Sequence, residues 1–360
     1  MAKLDRLEKK RNSSGNIVLD SFDSYKENGF VYGSNAKCWF KFDDGRVLFK
    51  EYSDKPRKSK ELYFDDTDET SELMPYGEVL YSVAAREYGV NSAKYDFATY
   101  KGNEGTISYD LASKDNVIAI DGLTLFARYN PDHLPDIMRK NTNNLDVVMM
   151  FNKKYNNYAE LTKVFKTRYP DDVESLQNEL IYIFILDVLF DHVDKNLWNL
   201  MIITDEYGNN PHIVSIDSSH IACLYRGQKY IEDAVSSLLV SDGTITIEDY
   251  LRGGVYGYDV NVKERNYNPA KDLIDFYYGL DDTKRDEIFR FVKEFDIKKI
   301  INEVSKVKSV DPIVNTWISA VVNSRKSFLL KKFYHINDNY KEEHSSKNFH
   351  LKKRNRKWFK

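Results

Sequence analysis

The chain has 360 residues, of which 42% are apolar, 30% charged and 14% aromatic, enough for two or three units with a well-filled core. Its two cysteines, Cys38 and Cys223, form neither a CxxC pair nor a disulfide framework, which argues against an extracellular disulfide scaffold and for a reducing compartment. The net charge of −3 points to no partner class by itself, although KNFHLKKRNRKWFK (347–360) carries seven Lys/Arg and no acid, leaving the rest near −10.

The start, MAKLDRLEKKRNSSGN, has no apolar run of signal-peptide type. The most apolar stretch, ELIYIFILDVLF (179–190), is about 12 residues and falls short of the ~20 needed to span a bilayer. A cytoplasmic protein with no transmembrane segment is expected. Four segments are read: a polar N-terminal extension over 1–28, a β-rich part over 29–121, a helical part over 122–335 and a basic tail over 336–360.

In chain order, FVYGSNAKCWFKF and GRVLFKEY read as strands, and FDDGRV as a hairpin with Asp-Gly in the turn. The charged SDKPRKSKELYFDDTDETSE reads as a loop. EVLYSVAAREYGV (78–90) has Val79, Leu80, Val83, Ala84 and Tyr88 at helical spacing, with Gly89 as its C-cap. KYDFATYKG and EGTISYDLAS follow as strands. Beyond 122 the spacing predicts helices near 133–140, 144–152, 157–168 and 172–190, then a hairpin over 201–217 turning at Gly-Asn-Asn. A loop-rich 218–268 precedes four helices near 269–280, 282–295, 297–306 and 311–334. The fold expected is α+β: a β-rich first lobe and an α-helical second lobe.

The polar run in FDHVDKNLWNLMI (190–202) directly follows the most apolar segment. It spaces Asp194 and Asn199 as D-x-x-x-x-N, and HIVSID puts Asp217 at the end of the next strand but one. That order suits phosphoryl transfer. One carboxylate takes or orients the nucleophile's proton, while an Asn amide oxygen and a second carboxylate hold Mg²⁺ against nucleotide phosphates. In VLFKEY, Lys50 lies inside an apolar strand, where a lysine packs poorly unless paired. Its natural partner is Glu78, at the start of the one helix in this lobe. YGSNAK offers a small-residue turn, Gly33, Ser34, Asn35, Ala36 and Lys37, whose N–H groups could cover phosphates. ISYDLAS places Tyr109, Asp110 and Leu111 where a hinge would bond an adenine edge. Alone, each has an ordinary reading: an edge-strand surface lysine, a glutamate at a helix start, a turn. Their sequence order is what argues for a nucleotide site.

With these motifs, YGSNAK, VLFK, GEVLYSVAAREYGV, ISYDLAS, FDHVDKNLWNLMI and HIVSID, the chain resembles the HipA-like serine/threonine kinases, in layout the stand-alone CtkA-like members, over roughly residues 28–335. The resemblance implies a two-lobed protein-kinase-like fold, ATP and Mg²⁺ as cofactors, and a protein substrate, with autophosphorylation also open. It implies Asp194 as the catalytic Asp, Asn199 and Asp217 as Mg²⁺ ligands, and Lys50 as the phosphate-binding lysine. The stretch Gly33–Lys37 would be the phosphate loop. Where the family has D-R-H or D-x-H, this chain has Asp194-Lys195-Asn196; Asn196 can hydrogen-bond but cannot take a proton at neutral pH.

Three alternatives stay open: a lipid or small-molecule kinase, a nucleotide-binding pseudokinase, and a nucleic-acid or anionic-membrane contact through the basic tail. Residues 218–250 hold two basic residues against five acids, which disfavours a phosphoinositide and allows a basic peptide. A neutralising partner protein also remains an open question.

Overall fold

The computed structural model describes residues 7, 10–21, 25–27, 37–42, 45–52, 71–112, 117–129, 158–240, 246–247 and 269–355, the last 20 as backbone only. The phosphate-loop residues Gly33, Ser34, Asn35 and Ala36 and the helices expected near 133–140 and 144–152 lie outside them.

Six strands form the first sheet: β1 (Ile17–Val18), β2 (Tyr25–Glu27), β3 (Lys37–Phe42), β4 (Gly45–Glu51), β5 (Tyr95–Tyr100) and β6 (Asn103–Tyr109). Their order is β1-β5-β6-β4-β3-β2, antiparallel except for the parallel β1–β5 pair. The β3–β4 hairpin pairs Phe42 with Gly45, so the glycine sits in the ladder rather than in the turn. Along β4, Val47 and Phe49 face a core with Phe40, Phe42, Ala98 and Ile107, and the period of two sends Lys50 to the opposite face. β4 is flanked by β3 and β6, so Lys50 is an interior lysine, 6% exposed, and not an edge one.

Helix α1 (Met74–Glu87) covers that opposite face. It starts four residues before the sequence reading placed it, with Pro75 in the first turn, where the missing N–H costs nothing. It ends in a Schellman motif: Val90 N–H bonds Ala85 O at 2.8 Å and Gly89 N–H bonds Arg86 O at 3.4 Å. Gly89 has φ +68°, the left-handed conformation expected of it.

The N-terminal segment, read as a polar extension, is part of this lobe. Leu7, Ile17 and Leu19 are buried in its core, and Arg11 pairs with Asp96 at 2.6 Å. Three apolar anchors in a polar stretch escape a composition-based reading.

The second lobe contains α2 (Gly122–Tyr129), α3 (Tyr158–Arg168), α4 (Val173–Leu189), α5 (Gly227–Val240), α6 (Pro269–Tyr278), α7 (Asp282–Glu294), α8 (Ile297–Ser305) and α9 (Pro312–Asn355). A small antiparallel sheet, β7-β8-β9, joins β7 (Val117–Asp121), β8 (Leu200–Asp205) and β9 (His212–Ser215). The expected hairpin over 201–217 is therefore present, and 117–121 pairs with it in place of the first sheet. Two expectations differ. Residues 227–240, read as loop, form α5, whose Ile231, Ala234, Val235 and Leu238 lie at helical spacing against the core. Helix α9 continues past residue 334 to Asn355.

The second half of helix α4, from Leu180 on, is apolar nearly all round because it is buried nearly all round in the core of this lobe. Helix α1 shares its core. Helix α8 packs along α1, Tyr88 stacks on Phe295 with centroids 4.6 Å apart, and Tyr76 donates to Asn315 Oδ1 at 2.9 Å. At the lobe junction, Ala93 N–H bonds Ser215 O (2.9 Å) and Ser215 N–H bonds Asn91 O (3.1 Å). Away from the cleft, Lys308, just beyond α8, pairs with Glu104 of β6 at 2.8 Å. A Cβ on Gly15 (φ +80°) would fall 1.8 Å from Val307 O, so only glycine fits that contact. Among the described residues no helix is long and apolar enough to cross a membrane.

Candidate active site

Lys50 of β4 stands opposite Lys37 of β3 and Thr106 of β6. Its Nζ is 2.9 Å from Glu78 Oε1 and 2.5 Å from Asp217 Oδ1. Glu78 is fully buried on α1, and its Oε2 accepts the Thr106 hydroxyl at 2.5 Å. Burial alone would lower the Lys50 pKa, but the Asp217 and Glu78 carboxylates outweigh it and raise it well above the ordinary lysine range. Burial likewise works against ionised Asp217, yet the Lys50 and Lys37 ammoniums hold it well below the usual carboxylate range. Lys37 Nζ lies 3.7 Å from Asp217 Oδ2. Two cations thus converge on one carboxylate, and phosphate oxygens would draw the same two.

Asp217 follows β9 in the left-handed region, φ +52°, which costs a non-glycine residue on the order of 1 kcal/mol and is more readily tolerated by Asp. Its N–H donates to the Tyr95 hydroxyl at 2.9 Å. The turn aims the carboxylate at Lys50.

The polar run after α4 resolves into distinct roles. Asp191, at φ +50°, closes α4 as a glycine would: His192 N–H bonds Asp187 O at 2.8 Å and Asp191 N–H bonds Val188 O at 3.1 Å. Its carboxylate pairs with Arg325 of α9 at 3.0 Å, and both side chains are buried. His192 is buried, and burial, with Lys195 and His220 nearby, lowers its pKa well below the ordinary value, so it is neutral. Its Nδ1 accepts the Asp194 N–H at 3.3 Å.

Asp194 is the exposed member, its side chain 53% accessible. Its pKa is raised, first by the crowding of the cleft by protein; Asp217 repels its charge, and His220, Lys50 and Lys195 act the other way. His220 Nδ1 lies 3.7 Å from Asp194 Oδ2 and 3.2 Å from Ser219 Oγ. Asn196 caps the short 3₁₀ turn Leu197–Asn199, accepting Trp198 N–H at 2.9 Å, and its Nδ2 donates to Asp194 O at 3.3 Å. It therefore shapes the loop as a cap. Asn199 Nδ2 donates to Asp194 O at 2.7 Å, so its amide oxygen is the end available to a cation. Ile216 N–H bonds Asn199 O at 2.9 Å, bringing the Asn199 and Asp217 segments together.

Asn199 and Asp217 fit a Mg²⁺ ion in donor type: hard oxygens, few in number, one ionised. Among the described residues no group of three or more His, Cys, Asp or Glu could hold a metal, so a cation here would take most of its ligands from water or phosphate.

Tyr109 ends β6, and the chain next enters the second sheet at Val117, so 109–111 lies on the link between lobes. The Tyr109 N–H is bonded to Lys94 O (3.1 Å) and the Asp110 N–H to Arg46 O (3.2 Å). Asp110 pairs with Arg46 at 2.5 Å. Those two N–H donors are therefore already engaged within the lobe.

Thr106, Tyr95, Lys195 and His220 escape the sequence reading. Thr106 and Tyr95 could be found only from strand register, and His220 only from its place three residues past Asp217.

A β-sheet lobe with a strand lysine bound to a helix glutamate, above a helical lobe presenting Asp194, Asn199 and Asp217, defines a protein-kinase-like fold. Among solved structures, the proinflammatory kinase CtkA of Helicobacter pylori shares it with a TM-score of 0.61 at 14% identity, over 89% of this chain and 97% of that one. HipA of Shewanella oneidensis MR-1, from a toxin–antitoxin complex with HipB and operator DNA, gives a TM-score of 0.40 at 15% identity, over 88% and 66%. A Golgi casein kinase gives 0.37 at 12%, over 92% and 76%. No family model matches the sequence, and no curated protein matches it.

Proposed function

We infer that this chain is an ATP- and Mg²⁺-dependent protein kinase that phosphorylates Ser or Thr hydroxyls. The observation that carries this reading is the Lys50–Glu78–Asp217 cluster, formed by three separate elements beside the exposed Asp194. Glu78, itself held by Thr106, fixes the ammonium of Lys50 where phosphate oxygens would lie. Asp194 accepts the proton of the attacking hydroxyl, and its raised pKa makes it a stronger base than a free aspartate. The bond formed joins that oxygen to the γ-phosphorus, the bond broken joins the γ-phosphorus to the bridging oxygen, and ADP leaves. Asn199 and Asp217 would hold Mg²⁺, which when bound neutralises charge on the phosphates.

The test is phosphoproteomics with Mg-ATP and a protein extract, comparing the wild-type chain with Asp194→Ala. A positioned base contributes ~10²–10⁴-fold, so the variant should lose at least 100-fold while remaining folded. Phosphosites that appear only with the wild type establish the kinase and name the acceptor. ATP binding without phosphosites would shift the reading to a small-molecule kinase or a pseudokinase, and no ATP binding would refute it.

A further inference from the structure

Lys195, next to Asp194, is 1% exposed. A lysine so placed is costly unless its charge and all three of its donors are met. Its Nζ donates to Ser215 Oγ at 2.6 Å, Ile216 O at 3.2 Å and Ser218 Oγ at 3.4 Å. The Asp187 carboxylate lies 3.9 Å away and accepts the Tyr81 hydroxyl at 2.8 Å. The Tyr81 ring centroid is 5.5 Å from Nζ. Burial lowers the pKa of Lys195, with Asp187, Asp217 and Asp194 opposing that shift.

All three acceptors lie within residues 215–218, on both sides of Asp217. The same ammonium rests against Asp187 of α4 and Tyr81 of α1, one helical turn beyond Glu78. One side chain therefore joins the backbone that presents Asp194, the turn that presents Asp217 and the helix that presents Glu78. Nothing about the chemistry at Asp194 requires a cation behind it, and Lys195 does not reach the cleft.

We propose that Lys195 is a positioning residue: its buried ammonium grips the segment around Asp217 and sets the spacing between that carboxylate and Asp194. The proposal rests on the reading of Asp217 as a cation ligand and Asp194 as the base. The grip also supplies a reason for Asp217 to stay at positive φ, since the acceptors on either side of it are tied to one point.

The test uses the full chain with Lys195→Met, which keeps the stem and removes the ammonium, and Leu329→Ala, a core truncation on α9 that removes no hydrogen bond of Lys195, as the comparison. Hydrogen exchange is read without nucleotide. In Lys195→Met the amides of 215–218 should exchange at least about tenfold faster, with α4 unchanged. In Leu329→Ala they should stay protected. The second readout is the ratio of ATP affinity with and without Mg²⁺, which should collapse toward one in Lys195→Met alone. Turnover should fall by ~10²-fold, the scale of a misplacement near 1 Å.

Unchanged exchange at 215–218 overturns the proposal. So does a wild-type Mg²⁺ ratio in Lys195→Met. If Lys195→Met does not fold, Ser215→Ala with Ser218→Ala removes two acceptors and carries the same readouts. A wild-type chain that binds no ATP refutes the kinase reading, while the exchange experiment still decides whether Lys195 holds this segment.

Discussion

Replacing Arg325 with Met should be among the most damaging single changes outside the cleft. Arg325 and Asp191 meet at 3.0 Å with 4% and 2% of their side chains exposed, so water reaches neither charge. Removing the arginine takes away the buried cation that faces the Asp191 carboxylate, which cannot turn to solvent because its backbone is fixed at φ +50° by the end of α4. An uncompensated buried charge of this kind costs about 3–5 kcal/mol. Adding Asp191→Gly removes that carboxylate and places at positive φ the residue that adopts it most readily. The double variant should recover most of the loss, leaving roughly 1–2 kcal/mol for the lost packing. Urea unfolding followed by tryptophan fluorescence measures both, provided m stays constant. A loss below about 1 kcal/mol for Arg325→Met, or a double variant no more stable than the single, would refute the argument that this pair anchors the loop leading to Asp194.

Three further outcomes are expected. Lys50→Met leaves Glu78 buried and unpaired and should cost about 3 kcal/mol; adding Glu78→Gln should restore stability in thermal melts without restoring phosphoryl transfer. The contribution of Lys50 and Asp217 should be insensitive to pH across the neutral range. Asp217, depressed when folded, contributes fully above the unfolded value of about 4 and loses that contribution as pH falls through its folded value. Lys50, raised when folded, contributes fully below about 10.4 and loses it as pH rises through its folded value. The melting-temperature difference between wild type and Lys50→Met should thus be flat from roughly pH 5 to 9. A slope in that window would show that the pair is not ionised as described. Finally, Gly105→Ala puts a Cβ 2.1 Å from Lys50 O, so β4 and β6 must separate. It should cost on the order of 1–3 kcal/mol and weaken ATP binding, measured by calorimetry.

Much of this architecture is legible in the residues because it rests on local pattern. α4 announces itself by a long apolar run, the 201–217 hairpin by alternation around a Gly-Asn-Asn turn, and α1 by its spacing and Gly89. Lys50 stands out because a lysine in an apolar strand demands an explanation, and Glu78 and Asp217 supply it. What could not be read depends on register and long-range pairing. Thr106 and Tyr95 acquire meaning only when β6 and β5 are set beside β4 and the Asp217 turn. Lys195 looks like an ordinary polar loop residue until its acceptors, 20 and more positions later, are in place. Helix α5 was hidden by Ser and Gly neighbours, although Ile231, Ala234 and Leu238 carried its period. The two aspartates of the loop divide by environment, Asp191 buried against Arg325 and Asp194 exposed, a distinction the letters do not make.

The tie between residues 15–16 and 307–308 bears on how the molecule is made. Lys308 reaches Asn16, 292 positions earlier, and Glu104, 204 positions earlier. At ~5–20 residues per second, the ribosome releases Lys308 on the order of ten seconds or more after Glu104. Until then the first lobe can pair its strands but cannot close its outer edge over Gly15. Chain synthesis therefore sets the earliest time at which the Gly15–Val307 and Glu104–Lys308 contacts can form, long after the strands of the first sheet have emerged.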